Sequence, residues 1–266
     1  MIEIPLEDFT SILPLLTASK QPVVPRAVCE GYNPGRIFVD EPGDPAGAMI
    51  WLSCGYLYLV GNPPGGFTDD DLADLLCETF ALAWQAAGES GFILVPFSPV
   101  WTAAIEDFLK GRLHEVIYRR TFAFHPERFA SRRGWQEHIP PGFVLQGVDE
   151  QLAEGLGGMS TWASPQDYLA HGLGFCLLKD GEIISSCTSV FTTQTGVEID
   201  VHTQEAQRGR GYAALTATAL IDACLQQGRM PNWECFWDNE PSSALARKLG
   251  FEMKEDYPVY YWEMPA

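Results

Sequence analysis

Between Gly196 and Gly228 the chain changes its hydrophobic period. Gly196-VEIDVHT alternates apolar Val197, Ile199 and Val201 with polar Glu198, Asp200 and His202, the period of two expected of a half-buried strand. A polar, glycine-containing stretch follows, and Tyr212-AALTATALIDACLQQ then predicts a helix. Asn232-WECFWD predicts a second strand, and Asn239-EPSSALARKL a second helix that opens on an asparagine cap and closes on Gly250.

The same reading extends over the rest of the second half. Gly142-FVLQGV predicts a strand, Glu150 to Leu156 a short helix, and Ser164-Pro165 a helix start with a serine cap and proline in the first turn. Gly174-FCLLKDGEIISSCTSVF predicts a hairpin turning at Asp180-Gly181. With a closing strand at Val259-YYWEM the order is β-α-α-β-β-β-α-β-α-β. The first half repeats the rear part of this order: a hairpin over Ala48–Gly61, a helix over Asp69–Ala87, a strand at Gly91-FILVPF, a helix over Val100–Leu109 and a strand at Glu115-VIYRRTFAFH. The charged, proline-containing stretch from Pro126 to Phe143 divides the two, giving residues 1–128 and 129–266 as the expected domains.

Composition narrows the class. An apolar fraction of 46% with 8 Trp, 9 Tyr and 15 Phe is ample for a packed core in 266 residues, and no apolar run reaches the length of a membrane span. The start, Met1-Ile2-Glu3, lacks the basic residues of a signal peptide, so a soluble, cytoplasmic protein is expected. Seven cysteines without a C-x-x-C pair read as reduced core thiols, and five histidines show no metal-ligand spacing, so no metal is expected. A net charge of −18 disfavours nucleic acid as a partner and suits a cationic small molecule.

The loop between the alternating strand and its helix is Arg208-Gly209-Arg210-Gly211-Tyr212-Ala213, an R-x-x-G-x-A sequence. A helix start has amides without internal partners and a partial positive charge, which together attract phosphate oxygens. Gly209 and Gly211 let the backbone approach a diphosphate, and Arg208 and Arg210 add charged donors. A Walker loop would need Lys-Ser/Thr where Tyr212-Ala213 stands, and a dinucleotide loop would need a third glycine where Ala214 stands. From Asn239 the spacing continues through Ser242 and Leu245 to Leu249-Gly250-Phe251, which resembles the N-x-x-[AS]-x-x-L-x-x-x-[LM]-G-F signature of the GNAT superfamily of acyl-CoA N-acyltransferases. The two-part layout, with Gly172-LGFCLLKDGEIISS, is also similar to a subfamily that includes zwittermicin-resistance acetyltransferases, which implies amine acetylation and suggests a link to antibiotic resistance.

The resemblance implies an α/β fold with a mixed sheet, a GNAT fold in the C-terminal half, and acetyl-CoA as co-substrate. It places the pyrophosphate on Arg208, Gly209, Arg210, Gly211, Tyr212 and Ala213. Pantetheine would lie along the backbone of Val201, His202 and Thr203, held also by Asn239 and Ser242. An amine must lose a proton, and Glu198, then Asp200, are the candidate bases on the polar strand face. His202 has a suitable pKa but lies closest to the thioester. Many relatives carry a tyrosine acid seven residues after the motif asparagine, a position held here by Ala246. Ser242, Ser243, Tyr260, Tyr261 or water remain as proton donors. Cys187 and Cys235 invite a nucleophile reading, and Trp162, Trp233 and Trp237 an aromatic box, but core roles are favoured for the cysteines and core or cleft-wall roles for the tryptophans.

The corresponding loop of the first half, Gly61-NPPGGFTDDD, has no arginine, two prolines without N–H groups and three aspartates. It reads as a degenerate GNAT-like half that cannot hold coenzyme A, an unrelated accessory α/β domain being the alternative. The expected partner is a small-molecule amine acetylated by direct attack in a ternary complex, with the protein a monomer or homodimer. A longer acyl-CoA donor, or a non-catalytic coenzyme A sensor on a decayed scaffold, also fits the sequence.

Overall fold

The computed structural model describes residues 1–18, 23–80, 91–129, 134–156 and 159–263. The chain divides into two compact units, Met1–Arg119 joined by Tyr257–Ala266, and Arg120–Asp256. The boundary expected at 128/129 falls inside the second unit, and the segment from Tyr257 associates with the first.

In the first unit, β1 (Ile2–Ile4), β2 (Gly35–Val39), β3 (Gly47–Leu52), β4 (Tyr56–Gly61), β5 (Gly91–Pro96) and the end of β13 (Phe251–Glu263) lie side by side in that order. All these pairings are antiparallel except the parallel β4–β5 pair. Strand β3 is buried at every position, which is why its sequence, GAMIWL, is apolar almost throughout. A 3₁₀ segment (Leu6–Ala18) and helices α1 (Val23–Cys29), α2 (Asp69–Asp74) and α3 (Pro99–Leu109) accompany the sheet. Helix α2 starts on a capping box between Thr68 and Asp71, and a π-helical turn continues it over Leu75–Phe80. Residues 81–87 of the helix expected there lie outside the described residues. Phe80, Phe92, Trp101, Phe108 and Trp262 form the centre of the core.

Strands β6 (His114–Phe124) and β13 each carry the chain from one unit into the other. The second unit adds α4 (Pro126–Phe129), β7 (Phe143–Gly147), α5 (Glu150–Gly155), α6 (Pro165–His171), β8 (Gly174–Lys179), β9 (Glu182–Thr192), β10 (Gly196–Thr203), α7 (Tyr212–Gln226), β11 (Met230–Asn232), β12 (Glu234–Phe236) and α8 (Glu240–Lys248). The element order expected from the sequence is present, except that the single strand expected from Asn232 is divided into β11 and β12. The β8–β9 hairpin turns on Asp180 and Gly181, both at positive φ (51° and 84°), as a primed turn requires.

Five strands pair in the order β11-β10-β9-β8-β7. The β10–β11 pair is parallel and short, joining Gly196–Glu198 to Met230–Asn232, and the following strand β12 pairs with β6 instead. From Ile199 onward, β10 therefore has a strand neighbour only on the β9 side among the described residues. Backbone groups on that open edge must find other partners. Val197 and Ile199 pack with Ala217, Leu220 and Ile221 of α7 and with Phe251 of β13.

Candidate active site

The site begins on the open length of β10. Val190 of β9 has no partner in the β10 register, so the bulge lies in β9 and β10 keeps its alternation. Glu198, Asp200 and His202 consequently share a face, but in different surroundings. Glu198 is buried and its Oε2 accepts a hydrogen bond from Asn232 Nδ2, across the β10–β11 register that pairs these two residues. Asp200 and His202 are open to solvent. Protein around the Asp200 carboxyl nevertheless raises its pKa by desolvation, opposed by the Val201 backbone N–H and the neighbouring His202. Val201 is half-buried and Thr203 buried.

Thr203 belongs to a hydroxyl cluster that holds the end of β10 against α7. Ser185 Oγ lies 2.8 Å from Thr203 Oγ1 and 3.4 Å from Thr216 Oγ1, and it donates to the His202 carbonyl at 3.0 Å. The loop beyond is anchored by Gln204, whose N–H donates to the Ile184 carbonyl (3.0 Å) and whose Nε2 donates to the Ile183 carbonyl (2.7 Å). Arg208 Nε donates to the Thr203 carbonyl at 3.3 Å, which steadies the exposed side chain.

Helix α7 starts at Gly211 with φ +85°, and no side chain caps it. The Tyr212 and Ala213 amides at its start have no acceptor within the helix, whereas the Ala214 N–H already bonds the Gly211 carbonyl at 3.1 Å. A Cβ on Gly209 or Gly211 would meet nothing within 4 Å, so this surface is open to an approaching anion. Both glycines have φ values that favour glycine, +77° and +85°. Arg208 and Arg210 are exposed, whereas the Tyr212 ring turns inward to Leu177 and Ile184, leaving only its backbone to a ligand. Ala213 is half-buried on the first turn. The donor set fits a pyrophosphate: backbone amides, a helix terminus and two guanidinium groups, with no carboxylate among residues 208–213.

At the head of α8, Asn239 Oδ1 accepts the Ser242 N–H at 3.1 Å, leaving its amide Nδ2 to donate outward. Ser242 Oγ accepts from Trp233 Nε1 at 3.1 Å. Ser243 is fully buried, 3.5 Å from both Cys235 Sγ and Arg120 Nη1. Arg120 forms a two-pronged pair with Asp256 (2.8 and 2.9 Å) and also reaches Glu240 at 3.3 Å, fixing the helix start on β6.

The other sequence candidates separate clearly. Ala246 is fully buried among Phe122, Leu249 and Phe251. Tyr260 is buried in the first unit, donates to Glu106 Oε1 at 2.9 Å, and has its pKa raised by burial and by that carboxylate. Cys187 is fully buried and desolvation holds its thiol well above the ordinary range, so it is not poised as a thiolate. Trp162 is buried and donates to the Ser189 carbonyl, whereas Trp237 is exposed. The sequence reading passed over Asn232 as a partner of Glu198 and the Ser185–Thr203–Thr216 cluster. Strand register pairs Glu198 with Asn232 and Ser185 with Thr203, and the packing of α7 brings in Thr216.

A split sheet, a bare helix start behind an arginine–glycine loop, and an asparagine-headed second helix define a coenzyme A acyltransferase fold. The GNAT acetyltransferase family profile matches residues 13–260, and the chain belongs to that family. It is thus a GNAT N-acetyltransferase, and the family uses acetyl-CoA. Over 265 residues it is 26% identical to the uncharacterized N-acetyltransferase YdfB of Bacillus subtilis (strain 168), covering 97% of each chain. A GCN5-related N-acetyltransferase-like protein from Streptococcus suis is 26% identical with a TM-score of 0.73, over 97% of this chain and 99% of that one. A tandem GNAT protein from the clavulanic acid biosynthesis pathway, 14% identical, shares the fold with a TM-score of 0.57 over 100% and 98% of the chains. The architecture is a two-half GNAT fold. No helix among the described residues is long and apolar enough to cross a membrane.

Proposed function

We propose that the second unit transfers an acetyl group to a primary amine of a small, cationic acceptor by direct attack within a ternary complex, while the first half does not bind coenzyme A. The observation that carries this reading is the uncapped start of α7 at Gly211, next to the open edge of β10. Acetyl-CoA would supply the activated acetyl thioester. The amides and guanidinium groups of residues 208–213 would hold its pyrophosphate, and the backbone of Val201–Thr203 with the Asn239 amide its pantetheine arm. A backbone N–H on this edge can polarise the thioester carbonyl.

A carboxylate on β10 would take the ammonium proton. Asp200 is solvent-accessible with a raised pKa, which favours proton uptake; Glu198 lies behind Asn232 and would act through water. The net charge of −18 supports a cationic acceptor by concentrating amines at the surface. Zwittermicin-type aminopolyols belong to this acceptor class, and such a substrate would make the activity one of antibiotic resistance in the cytoplasm. The test is calorimetry with acetyl-CoA, followed by thiol-release assays over polyamines, aminoglycosides, aminopolyols, amino acids and peptides. Turnover restricted to neutral or acidic acceptors would refute the cationic assignment. Faster turnover with a longer acyl-CoA would refute acetyl as the group transferred.

A further inference from the structure

Two neighbours determine what the Ser242 hydroxyl can do. Its backbone N–H is bound to Asn239 Oδ1, which fixes the residue in the first turn of α8. Its Oγ accepts the indole N–H of Trp233 at 3.1 Å. An indole nitrogen can only donate, so one lone pair of Oγ is committed and the hydroxyl hydrogen remains as a donor. Serines at helix starts commonly turn that hydrogen onto nearby backbone. Here it has no acceptor among the described residues.

The indole itself is held firmly. Trp233 is 3% exposed and packs against Phe251 with ring centroids 5.5 Å apart, so the direction of its N–H is set by the core. The neighbouring hydroxyl cannot substitute, because Ser243 is fully buried beside Cys235 and Arg120. Nor can the position seven residues after Asn239, where Ala246 is enclosed by the core.

We propose that Trp233 is a positioning residue that makes Ser242 a donor to the departing coenzyme A sulfur, in place of the absent tyrosine. This rests on the assignment of Asn239 and Ser242 to the thioester end of the site. As the amine nitrogen bonds to the acetyl carbon, the carbon–sulfur pair passes to sulfur. Ser242 O–H hydrogen-bonds the developing thiolate, water supplies the proton that neutralises it, and a β10 carboxylate receives the proton lost by the amine. The group that touches sulfur is Ser242; Trp233 acts through it.

The experiment reads the acidity of the thiol in bound coenzyme A, followed by thiolate ultraviolet absorbance through a pH titration. It compares the full-length protein with Trp233→Phe, Ser242→Ala and the double variant. A hydrogen bond to the thiolate favours ionisation, so each single variant should lower the ionisation constant of the bound thiol about tenfold. The double variant should lower it no further, because both changes remove one bond. In each variant, coenzyme A affinity should fall more at high pH, where the thiol is ionised, than at low pH, where it is neutral. A change in Ser242→Ala with none in Trp233→Phe, or two effects that add, would overturn positioning by Trp233 while leaving Ser242 as donor. No change in Ser242→Ala would overturn the proposal at its root, and failure of the wild type to bind coenzyme A would instead sink the assignment of the loop. Should the phenylalanine variant not fold, a benzothiophene analogue of tryptophan at position 233 retains the ring shape without the N–H and gives the same comparison.

Discussion

Replacing Gly211 by aspartate tests the pyrophosphate loop where the surface is most open. A Cβ at this position meets no atom within 4 Å, so steric cost is confined to the backbone at φ +85°. That cost is about 1–2 kcal/mol for an ordinary L-residue and smaller for aspartate, which visits this region more readily. The variant should fold. In the wild type, acetyl-CoA at 100 times its dissociation constant should stabilise the fold by roughly 2.7 kcal/mol, a rise of about 5–11 °C in melting temperature for a chain of this size. One new carboxylate about 4 Å from one phosphate charge costs about 4 kcal/mol at an effective dielectric constant near 20. The penalty exceeds the whole gain, so the shift should vanish at the same ligand concentration. The matched control is Gly66→Asp in the corresponding loop of the first half, where φ is +81° and the space is equally open. Scanning fluorimetry with and without acetyl-CoA should show the shift intact in Gly66→Asp and absent in Gly211→Asp. A folded Gly211→Asp protein with the full shift would refute the loop assignment, and its loss in Gly66→Asp would refute the inert first half.

Other expectations follow from the β10 face and the α8 core. If Asp200 is the base, Asp200→Asn should reduce kcat by about 10²–10⁴ with acetyl-CoA binding retained, and the deficit should shrink as pH approaches the amine's own pKa. If Glu198 is the base through water, Glu198→Gln should show that pattern instead; loss confined to KM would mark either residue as an ammonium-binding group. A raised carboxyl pKa in the fold means Asp200 contributes stability below its unfolded pKa of about 4 that is lost as pH rises through the folded value. Urea unfolding should therefore find Asp200→Asn more stable than wild type near neutrality, with the gain disappearing below about pH 4; a pH-independent difference would exclude this origin. Ala246→Tyr, which restores the residue of many relatives, should lower stability by at least about 1–3 kcal/mol because it overfills a closed core. An unchanged urea midpoint would show that room exists.

What could be read from the chain depended on whether its cause was local. The alternation of Gly196–Thr203, the glycines of residues 208–213, the Asn239 cap and the Asp180–Gly181 turn each follow from a few adjacent residues, and the structure has all of them. Strand β1 and the 3₁₀ segment over Leu6–Ala18 escaped because neither has a strong period, and Pro14 interrupts the second. The final strand was expected from Val259, yet it begins at Phe251, since pairing rather than alternation carries FEMKED into the strand. The Asn232–Glu198 and Trp233–Ser242 bonds depend on chain crossings that no local pattern encodes.

The passage of β13 from the second unit into the first has a consequence for how the protein is made. Because Met1–Arg119 and Tyr257–Ala266 flank Arg120–Asp256, the second unit is an insertion within a discontinuous first domain. Tyr260 and Trp262, which pair with Leu94 and Phe92 and fill the core there, emerge from the ribosome after the entire second unit. Closing that sheet joins segments separated by the whole insertion, which makes the first unit the high-contact-order, later-forming one. A nonsense codon just after Asp256 would spare the glycine–arginine loop and helices α7 and α8, yet leave the amino-terminal domain without its closing strand and open to proteolysis.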